Sequence, residues 1–388
     1  MRKIKGIFVL FSLVLLSSGC KKERINEYKY HIPEASVDGW EVDSSDNVGI
    51  SSLTLSQMMD HINGRSGHNI HNILIFKNGK LVFEEYFEGY LYVWDPPGSN
   101  GDFIQYDRET DHFLASVSKS ITSVLFGVAM KEGFINTVDD KVIDIFPEYK
   151  EILTDAKADI TIKQLLTMSS GLAWDESSTS YEDPANDVRA MFDSDDPLDY
   201  VLSRPLLYPP GTQFLYNSGG TNVLGAVIQK YSGKSLLDFG NEYLFNPLNV
   251  EGGAWQRLSP DYYFASGGIF LRPRELAKIG YLFLNNGYWG DKQIITPDWI
   301  AESVEKHIAT QGRTLTLAHG YGYQWWLEDF QVNGHTYNSF LAAGWGDQYM
   351  FIFPAEDLMI VFNGGNYLKG GSISPFSLVG NYILISIQ

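Results

Sequence analysis

The sequence Ala115-Ser116-Val117-Ser118-Lys119-Ser120 opens the most regular helix pattern in the chain, and the other elements are best understood from it. Apolar residues recur after it at helical spacing, at Ile121, Val124, Leu125 and Val128. Gly133 stands where a left-handed C-cap would end such a helix. The pattern therefore predicts a buried helix with Ser116 in its first turn.

Ser116 and Lys119 are a candidate nucleophile and its base. Three residues apart, they share one face of a helix, and the free N–H groups at the helix start favour an oxyanion beside Ser116. A serine hydroxyl becomes nucleophilic when a base removes its proton, and a desolvated lysine can be that base. Spacing alone leaves a second interpretation open, in which Ser116 only caps the helix and Lys119 is solvated.

The Ser-x-x-Lys pattern occurs three times, so its context matters more than its presence. Ser18 and Lys21 straddle the end of a targeting segment, whereas Ser303 and Lys306 lie among charged residues. The pattern at Ser116 alone opens an apolar helix.

The first twenty residues have the layout of a lipoprotein signal. Basic residues precede an apolar run from 7 to 16, and a small-residue pair precedes Cys20, the single cysteine of the chain. We predict a signal peptide over residues 1–19, a lipidated Cys20 as the mature N-terminus, and a tether over residues 20–48. The predicted location is extracytoplasmic, in the outer membrane, in the periplasm or at the cell surface. A plain secreted protein is the alternative.

The charge and the cysteine content of the chain limit the kinds of partner, metal and cofactor that it is expected to bind. The formal net charge of −18 becomes −21 when the three basic residues of the signal are removed, which argues against nucleic acid and anionic membrane surfaces. One cysteine leaves no pair for a disulfide, and His68 and His71 do not form a zinc pattern. The sequence thus predicts no cofactor, no metal, and membrane attachment through lipid alone.

Both ends of the chain carry hairpin patterns. Residues 73–83 form two β-rich runs around Asn78-Gly79, a pair that supplies the positive φ angles of a type I′ turn. Residues 348–362 form a second hairpin pattern, and a helix is predicted from about Pro375 to Ile387. We expect strands from both termini to pair in one sheet.

The middle of the chain favours helices and long loops. Helices are predicted at 55–62, from Thr161 to Gly171, at 222–231 and after Thr296. The order of strands, helices and strands predicts an α+β fold, in which an antiparallel sheet of N- and C-terminal strands is flanked by helices. We expect one domain over residues 49–388, with a mostly helical insertion at about 134–250.

The segment Pro210-Gly211-Thr212-Gln213-Phe214-Leu215-Tyr216-Asn217-Ser218 completes a family pattern. With Ser116 and Lys119 it resembles the class C β-lactamase-like serine hydrolases, which include β-lactamases, D-alanyl-D-alanine carboxypeptidases, esterases and 6-aminohexanoate-dimer hydrolases. Further stretches similar to family landmarks are residues 165–172, 265–268, 272–280 and 321–326. The resemblance covers roughly residues 50–388 and implies the β-lactamase/transpeptidase-like fold.

The resemblance implies that Tyr216, the first residue of the family's Tyr-x-Asn box, passes protons between Lys119 and Ser116. An unperturbed phenol and ammonium have similar pKa values, about 10 and 10.4, so such a transfer is feasible. The resemblance also implies an oxyanion hole made by the N–H groups of Ser116 and of a residue after Gly346, which we predict to be Asp347. The predicted substrate-binding residues are Ser218, Gly344, Trp345 and Gly346.

Two positions depart from the penicillin-recognising members. Ser218 replaces an asparagine, which is similar to the nylon-oligomer hydrolase and esterase branches. Gly344-Trp345-Gly346 stands where the family has Lys-Thr-Gly or His-x-Gly, so a cation for a β-lactam carboxylate is missing. Both departures weigh against a dedicated β-lactamase.

Aromatic residues and one histidine lie near these motifs. Trp174, Trp325, Trp326 and Trp345 are candidates for pocket walls, although core packing is the favoured interpretation for each. His112, four residues before Ser116, could touch the mouth of the site, but a position on the surface or in a loop is the favoured interpretation.

We therefore predict a serine hydrolase that forms an acyl-enzyme on Ser116 and acts on a small ester, amide or peptide. The alternative enzyme is a β-lactamase or D-alanyl-D-alanine carboxypeptidase. An alternative of another class is a catalytically weak protein that binds or senses peptidoglycan-like ligands.

Overall fold

The computed structural model describes residues 27–93, 100–251, 253–310, 318–367 and 371–388, so the predicted signal peptide and Cys20 lie outside the described residues. The strands in these ranges are β1 (Glu41–Val42), β2 (Ile70–Lys77), β3 (Lys80–Tyr86), β4 (Glu88–Tyr92), β5 (Asn100–Gln105), β6 (His112–Phe113), β7 (Phe270–Leu271), β8 (Tyr288–Trp289), β9 (Lys292–Gln293), β10 (Gly320–Tyr321), β11 (Trp326–Val332), β12 (His335–Gly344), β13 (Gln348–Phe353) and β14 (Leu358–Gly364). The helices are α1 (Ser52–Asn63), α2 (Val117–Lys131), α3 (Val142–Ile145), α4 (Ile162–Leu166), α5 (Asp187–Phe192), α6 (Pro197–Ser203), α7 (Ser218–Ser232), α8 (Leu236–Gly240), α9 (Pro273–Leu284), α10 (Pro297–Ser303) and α11 (Pro375–Leu378).

Eight of these strands form one sheet, in the order β1-β3-β2-β14-β13-β12-β11-β10. β14 is antiparallel to β2, with Ile360 opposite Ile75, so strands from the two ends of the chain meet inside the sheet. Asn78 and Gly79 have φ angles of 53° and 73°, as a type I′ turn requires. The predicted α+β fold with a sheet shared by both termini is confirmed.

The central strands are covered on both faces, which explains why β2 and β14 are apolar at almost every position. Leu74 and Phe76 of β2 belong to the core that also contains residues of α2 and α9. Ile73 and Ile75 point the other way, into the core that contains residues of α1 and α11. The sheet is thus the middle layer between two layers of helices.

The predicted helices are present, although their lengths differ from the sequence patterns. Thr161 caps α4 through a capping box with Gln164, but α4 ends at Leu166 instead of reaching Gly171. Met168 has a φ of 55°, a left-handed conformation that ends the helix early. In the part of the chain that the structure describes, each helix is too short or too polar to cross a bilayer.

Helix α2 is buried along nearly its whole length, and its polar side chains bind neighbouring loops. Thr122 donates to the Ala265 carbonyl at 2.8 Å, and Ser120 donates to the Gln324 carbonyl at 2.7 Å. These two loops are among the stretches that resemble family landmarks. Their hydrogen bonds fix them against the helix that begins at the candidate nucleophile.

Residues 27–48 are not the tether that the sequence predicts. β1 pairs in parallel with β3, and Trp40 is 4% exposed inside the core. The buried guanidinium of Arg274 binds this segment through the Asp38 carboxylate at 3.0 Å and the Glu34 carbonyl at 2.8 Å. The prediction is wrong here because a polar composition does not reveal that Trp40 and Asp38 complement groups of the domain.

Candidate active site

Ser116 lies at the N-terminal end of α2, where the backbone bends sharply. Ala115 has a φ of 45°, a left-handed conformation that costs a residue with a Cβ about 1–3 kcal/mol. The side chain of Ser116 makes no capping hydrogen bond to the helix. Its hydroxyl therefore does not serve the helix, as it would if Ser116 were only an N-cap.

Lys119 lies directly against this hydroxyl. Its Nζ is 2.8 Å from Ser116 Oγ and donates a hydrogen bond of 2.9 Å to the Ser266 carbonyl. Lys119 is 2% exposed, and burial lowers its pKa to about 8, an effect that the charge of Glu176 partly opposes. Near neutral pH a fraction of Lys119 is therefore the neutral amine, which can accept the Ser116 proton.

Tyr216 completes the group from the segment before α7. Its hydroxyl is a hydrogen-bond partner of the Ser116 side chain, and Lys119 Nζ lies 4.8 Å from the centre of its ring. Burial raises the pKa of Tyr216 well above its usual range, and Glu176 adds to this effect. The similar pKa values assumed from the sequence thus move apart, because burial disfavours the charged form of each group. Lys119 is the base of the pair, and Tyr216 stays a neutral phenol.

Sequence reasoning missed Glu176, a carboxylate that is 6% exposed. It accepts hydrogen bonds from the Ser218 N–H at 2.9 Å, from the Ser218 hydroxyl at 2.8 Å and from the Trp174 indole. Its charge influences the pKa values of both Lys119 and Tyr216. No sequence signal marks this residue, because an acidic side chain in a polar stretch is ordinarily solvated.

Ser218 lines the pocket, but its hydroxyl is bonded to Glu176. The neighbouring Asn217 accepts a hydrogen bond of 2.9 Å from the Gly220 N–H and so caps α7. Ser218 therefore lies in the pocket wall while its hydroxyl donates to Glu176, and its contact with substrate stays a prediction.

The pocket beside Ser116 has mostly apolar walls. They are formed by Phe113, Tyr181, Val188, Phe264 and Trp345, and the space amounts to about 340 Å³ together with the solvent at its mouth. The rings of Trp345 and Tyr181 lie 5.3 Å apart. Among the described residues that line it, Lys119 is the one cation, and its ammonium is already bound to Ser116 and Ser266.

Gly344 brings the end of β12 against the start of α2. A Cβ at this position would lie 2.5 Å from the Leu114 carbonyl oxygen and 3.2 Å from the Ser116 nitrogen, so the approach requires glycine. Trp345 follows directly and lines the pocket. The Trp345 N–H is therefore the candidate for the second oxyanion donor, beside the N–H of Ser116.

The side chain of Asp347, the residue whose N–H is the oxyanion donor predicted from the sequence, lies outside the described pocket lining. Its carboxylate binds the Asn366 side chain. Gly346 likewise lies outside the pocket and bridges to Asn366. Gly344 pairs with Gln348, so residues 345–347 form the tight turn between β12 and β13, and Trp345 is the residue of this turn that lines the pocket.

The remaining aromatic candidates have supporting positions. Trp326 stacks on the Tyr216 ring at 5.5 Å, whereas Trp325 packs in the core against Phe283 at 4.6 Å. His112 is buried and stacks on Tyr106 at 4.5 Å, and burial lowers the pKa of His112 to about 3. The expectation of a surface or loop position for His112 is wrong, because β6 pairs with β7.

Residues 55–364 match the family model described as beta-lactamase. The chain belongs to the beta-lactamase family. This beta-lactamase-family chain is 26% identical over 267 residues to 6-aminohexanoate-dimer hydrolase of Paenarthrobacter ureafaciens. That match covers 64% of the chain and 65% of the relative, so the chain spans just under two thirds of the relative's length.

Solved structures share the fold of this beta-lactamase-family chain. A family VIII carboxylesterase has a TM-score of 0.64 at 17% identity, over 87% of this chain and 98% of the esterase. The octameric penicillin-binding protein homologue from Pyrococcus abyssi has a TM-score of 0.61 at 20% identity, over 86% of this chain and 76% of the homologue. At such identities these likenesses establish the fold alone.

Proposed function

We propose that this beta-lactamase-family hydrolase is a serine hydrolase that acylates Ser116 and then hydrolyses the acyl-enzyme, with a small uncharged ester or amide as substrate. The observation that carries the proposal is the contact of 2.8 Å between Lys119 Nζ and Ser116 Oγ in a buried site. A serine hydroxyl becomes a nucleophile for acyl transfer when a general base is held against it, and the lowered pKa of Lys119 lets it be that base.

In the first half-reaction, neutral Lys119 accepts the Ser116 proton while Oγ bonds to the substrate carbonyl carbon. The N–H groups of Ser116 and Trp345 stabilise the oxyanion of the tetrahedral intermediate. The proton then passes through the Tyr216 hydroxyl to the leaving alkoxide or amine, whose bond to the carbonyl carbon breaks.

In the second half-reaction, water takes the place of the leaving group. Lys119 accepts a proton from the water, whose oxygen bonds to the acyl carbon. When the second tetrahedral intermediate collapses, Ser116 Oγ leaves and recovers its proton, and the carboxylic acid is released.

The substrate class follows from the pocket and from two named relatives. Apolar walls and the absence of a free cation among the described lining residues favour an uncharged acyl group. One relative is named for hydrolysis of the 6-aminohexanoate dimer, and one structural neighbour is named a carboxylesterase. Both names are consistent with an ester or amide substrate here.

We expect a short uncharged p-nitrophenyl ester to turn over with a kcat/KM at least tenfold above that of nitrocefin. The β-lactam carboxylate would find no free cation among the described lining residues, because the Lys119 ammonium is already bound to Ser116 and Ser266, and a charge-assisted hydrogen bond is roughly twice as strong as a neutral one. The measurement is kcat/KM for both substrates on one enzyme preparation, so that the ratio reports transition-state binding and not folding.

Nitrocefin and one further substrate, a D-Ala-D-Ala peptide, separate the alternatives. Efficient nitrocefin hydrolysis without esterase activity would favour a β-lactamase, and release of D-alanine from a D-Ala-D-Ala peptide would favour a carboxypeptidase. A binding or sensor protein would give no burst of p-nitrophenol at any ester concentration.

Membrane attachment through Cys20 is a separate proposal, supported by the sequence pattern of residues 1–20. We expect Cys20→Ser to move the protein from the membrane fraction to the soluble fraction, because acyl chains on this residue would be the anchor. Fractionation of cells that express each form, followed by immunoblotting, measures the change. Retention of the processed mutant in the membrane fraction would contradict lipidation.

A further inference from the structure

Glu176 is a buried charge that the acyl-transfer steps above do not use. Its two oxygens accept hydrogen bonds from the Ser218 N–H, the Ser218 hydroxyl and the Trp174 indole. These three donors are neutral groups. They satisfy the hydrogen-bonding capacity of the carboxylate, but they do not neutralise its negative charge as an ion pair would. A carboxylate buried in this way acts on its surroundings mainly through its field.

The field of Glu176 reaches the two proton-transfer groups. The groups around Lys119 are Ser116 on its own helix, Tyr216 from the segment before α7, the Ser266 carbonyl, and Tyr181 across the pocket. The two tyrosines are neutral, because burial raises the pKa of each well above its usual range. Within the described residues, Glu176 is the one carboxylate whose charge is felt by Lys119.

Glu176 also fixes the segment that carries Tyr216. Ser218 is the first residue of α7, and both its N–H and its hydroxyl are bonded to Glu176. Tyr216 lies two residues earlier, so the start of α7 and the position of the phenol are set together.

We propose that Glu176 is a positioning residue that sets the working pH of the enzyme through Lys119 and holds Tyr216 in place through Ser218. The inference rests on the proposed serine hydrolase function. The charge of Glu176 raises the pKa of Lys119, and burial lowers it. Without that charge only the effect of burial would remain, so the neutral amine would form at lower pH.

The test is the pH dependence of kcat/KM for Glu176→Gln with a p-nitrophenyl ester. In the wild type, Lys119 loses its proton as the pH rises through about 8, so activity should rise through this range. Glutamine keeps the size of the side chain and removes the charge. We expect the acidic limb to shift to lower pH, because the opposite charge that favours the Lys119 ammonium is removed.

Glu182→Gln is the matched control, because Glu182 is an exposed carboxylate a few residues along the same segment. The Glu182→Gln variant loses the same negative charge at a site where solvent screens its effect on Lys119. The acidic limb of this variant should therefore stay at the wild-type pH. Glu176→Asp keeps the charge on a shorter side chain. We expect it to lower kcat through displaced Ser218 and Tyr216, with the acidic limb close to that of the wild type.

The possible results distinguish a failure of this inference from a failure of the proposed function. An acidic limb of Glu176→Gln that stays in place or moves upward, in an enzyme whose turnover depends on Ser116, overturns the role of Glu176 alone. Absence of Ser116-dependent turnover in the wild type overturns the proposed function. Glu176→Met is a second neutral variant, and failure of both neutral variants to fold would assign the carboxylate to stability and reject the proposal.

Discussion

Ser116→Ala is expected to reduce kcat on an ester substrate by a factor on the order of 10⁶, the scale reported by removal of a serine nucleophile in another hydrolase. The covalent route depends on Oγ, whereas the fold does not, because the hydroxyl of Ser116 makes no capping bond to α2. The melting temperature should therefore stay within a few degrees of that of the wild type. Steady-state kinetics and thermal unfolding measure the two effects.

Ser123→Ala is the matched control for this variant. Ser123 lies on the same helix, is buried, and its hydroxyl has no hydrogen-bond partner among the residues that the structure describes. The same atom is thus removed away from the pocket, and activity should be retained. Mass spectrometry of the wild type quenched during ester turnover should place the acyl group on Ser116. An adduct on another residue would reject the assignment.

Lys119→Met has the second largest expected effect, a loss of kcat of about 10²–10⁴-fold, the usual contribution of a general base. The same variant should be at least as stable as the wild type at pH 7. The shift of the Lys119 pKa from 10.5 to about 8 corresponds to a cost on the order of 3 kcal/mol for burying the protonated form. Methionine has similar length and no charge to desolvate.

Lys131→Met provides the comparison, because Lys131 lies at the exposed end of the same helix. It should change neither kcat nor the melting temperature appreciably. Full activity of Lys119→Met would remove Lys119 from the mechanism. A large loss of stability would show that its bonds to Ser116 and Ser266 outweigh the desolvation of the ammonium.

The sequence predicts those features of the structure that arise from neighbouring residues. Asn78-Gly79 specifies a turn through its backbone preferences, and Ser116 with Lys119 specifies one helix face through its spacing. Both therefore appear in the structure where the patterns place them. Tyr216 was found through the family pattern, since a tyrosine after Pro-Gly-Thr has no local signal of its own.

The remaining features depend on contacts between distant parts of the chain. The charge of Glu176 affects the pKa of Lys119 because the fold buries the polar loop that carries Glu176. The composition of that loop does not predict its burial. The sequence pattern names Asp347 as an oxyanion donor, whereas Trp345 is the residue of this turn that lines the pocket, and the pairing of Gly344 with Gln348 that makes the turn is not visible in the sequence. Small shifts in register change a catalytic assignment while leaving the fold prediction correct.

The docking of residues 27–48 limits the reach of a membrane anchor. The Tyr28 N–H donates to the Asp60 carboxylate at 2.7 Å, so the body of the protein that the structure describes, from residue 27 onward, holds this end of the segment against α1. If Cys20 carries acyl chains, seven residue steps (27 − 20) separate it from that body. A fully extended chain of this length spans roughly 25 Å. The enzyme would then work close to the lipid surface, and substrates confined to that layer would meet it at high local concentration.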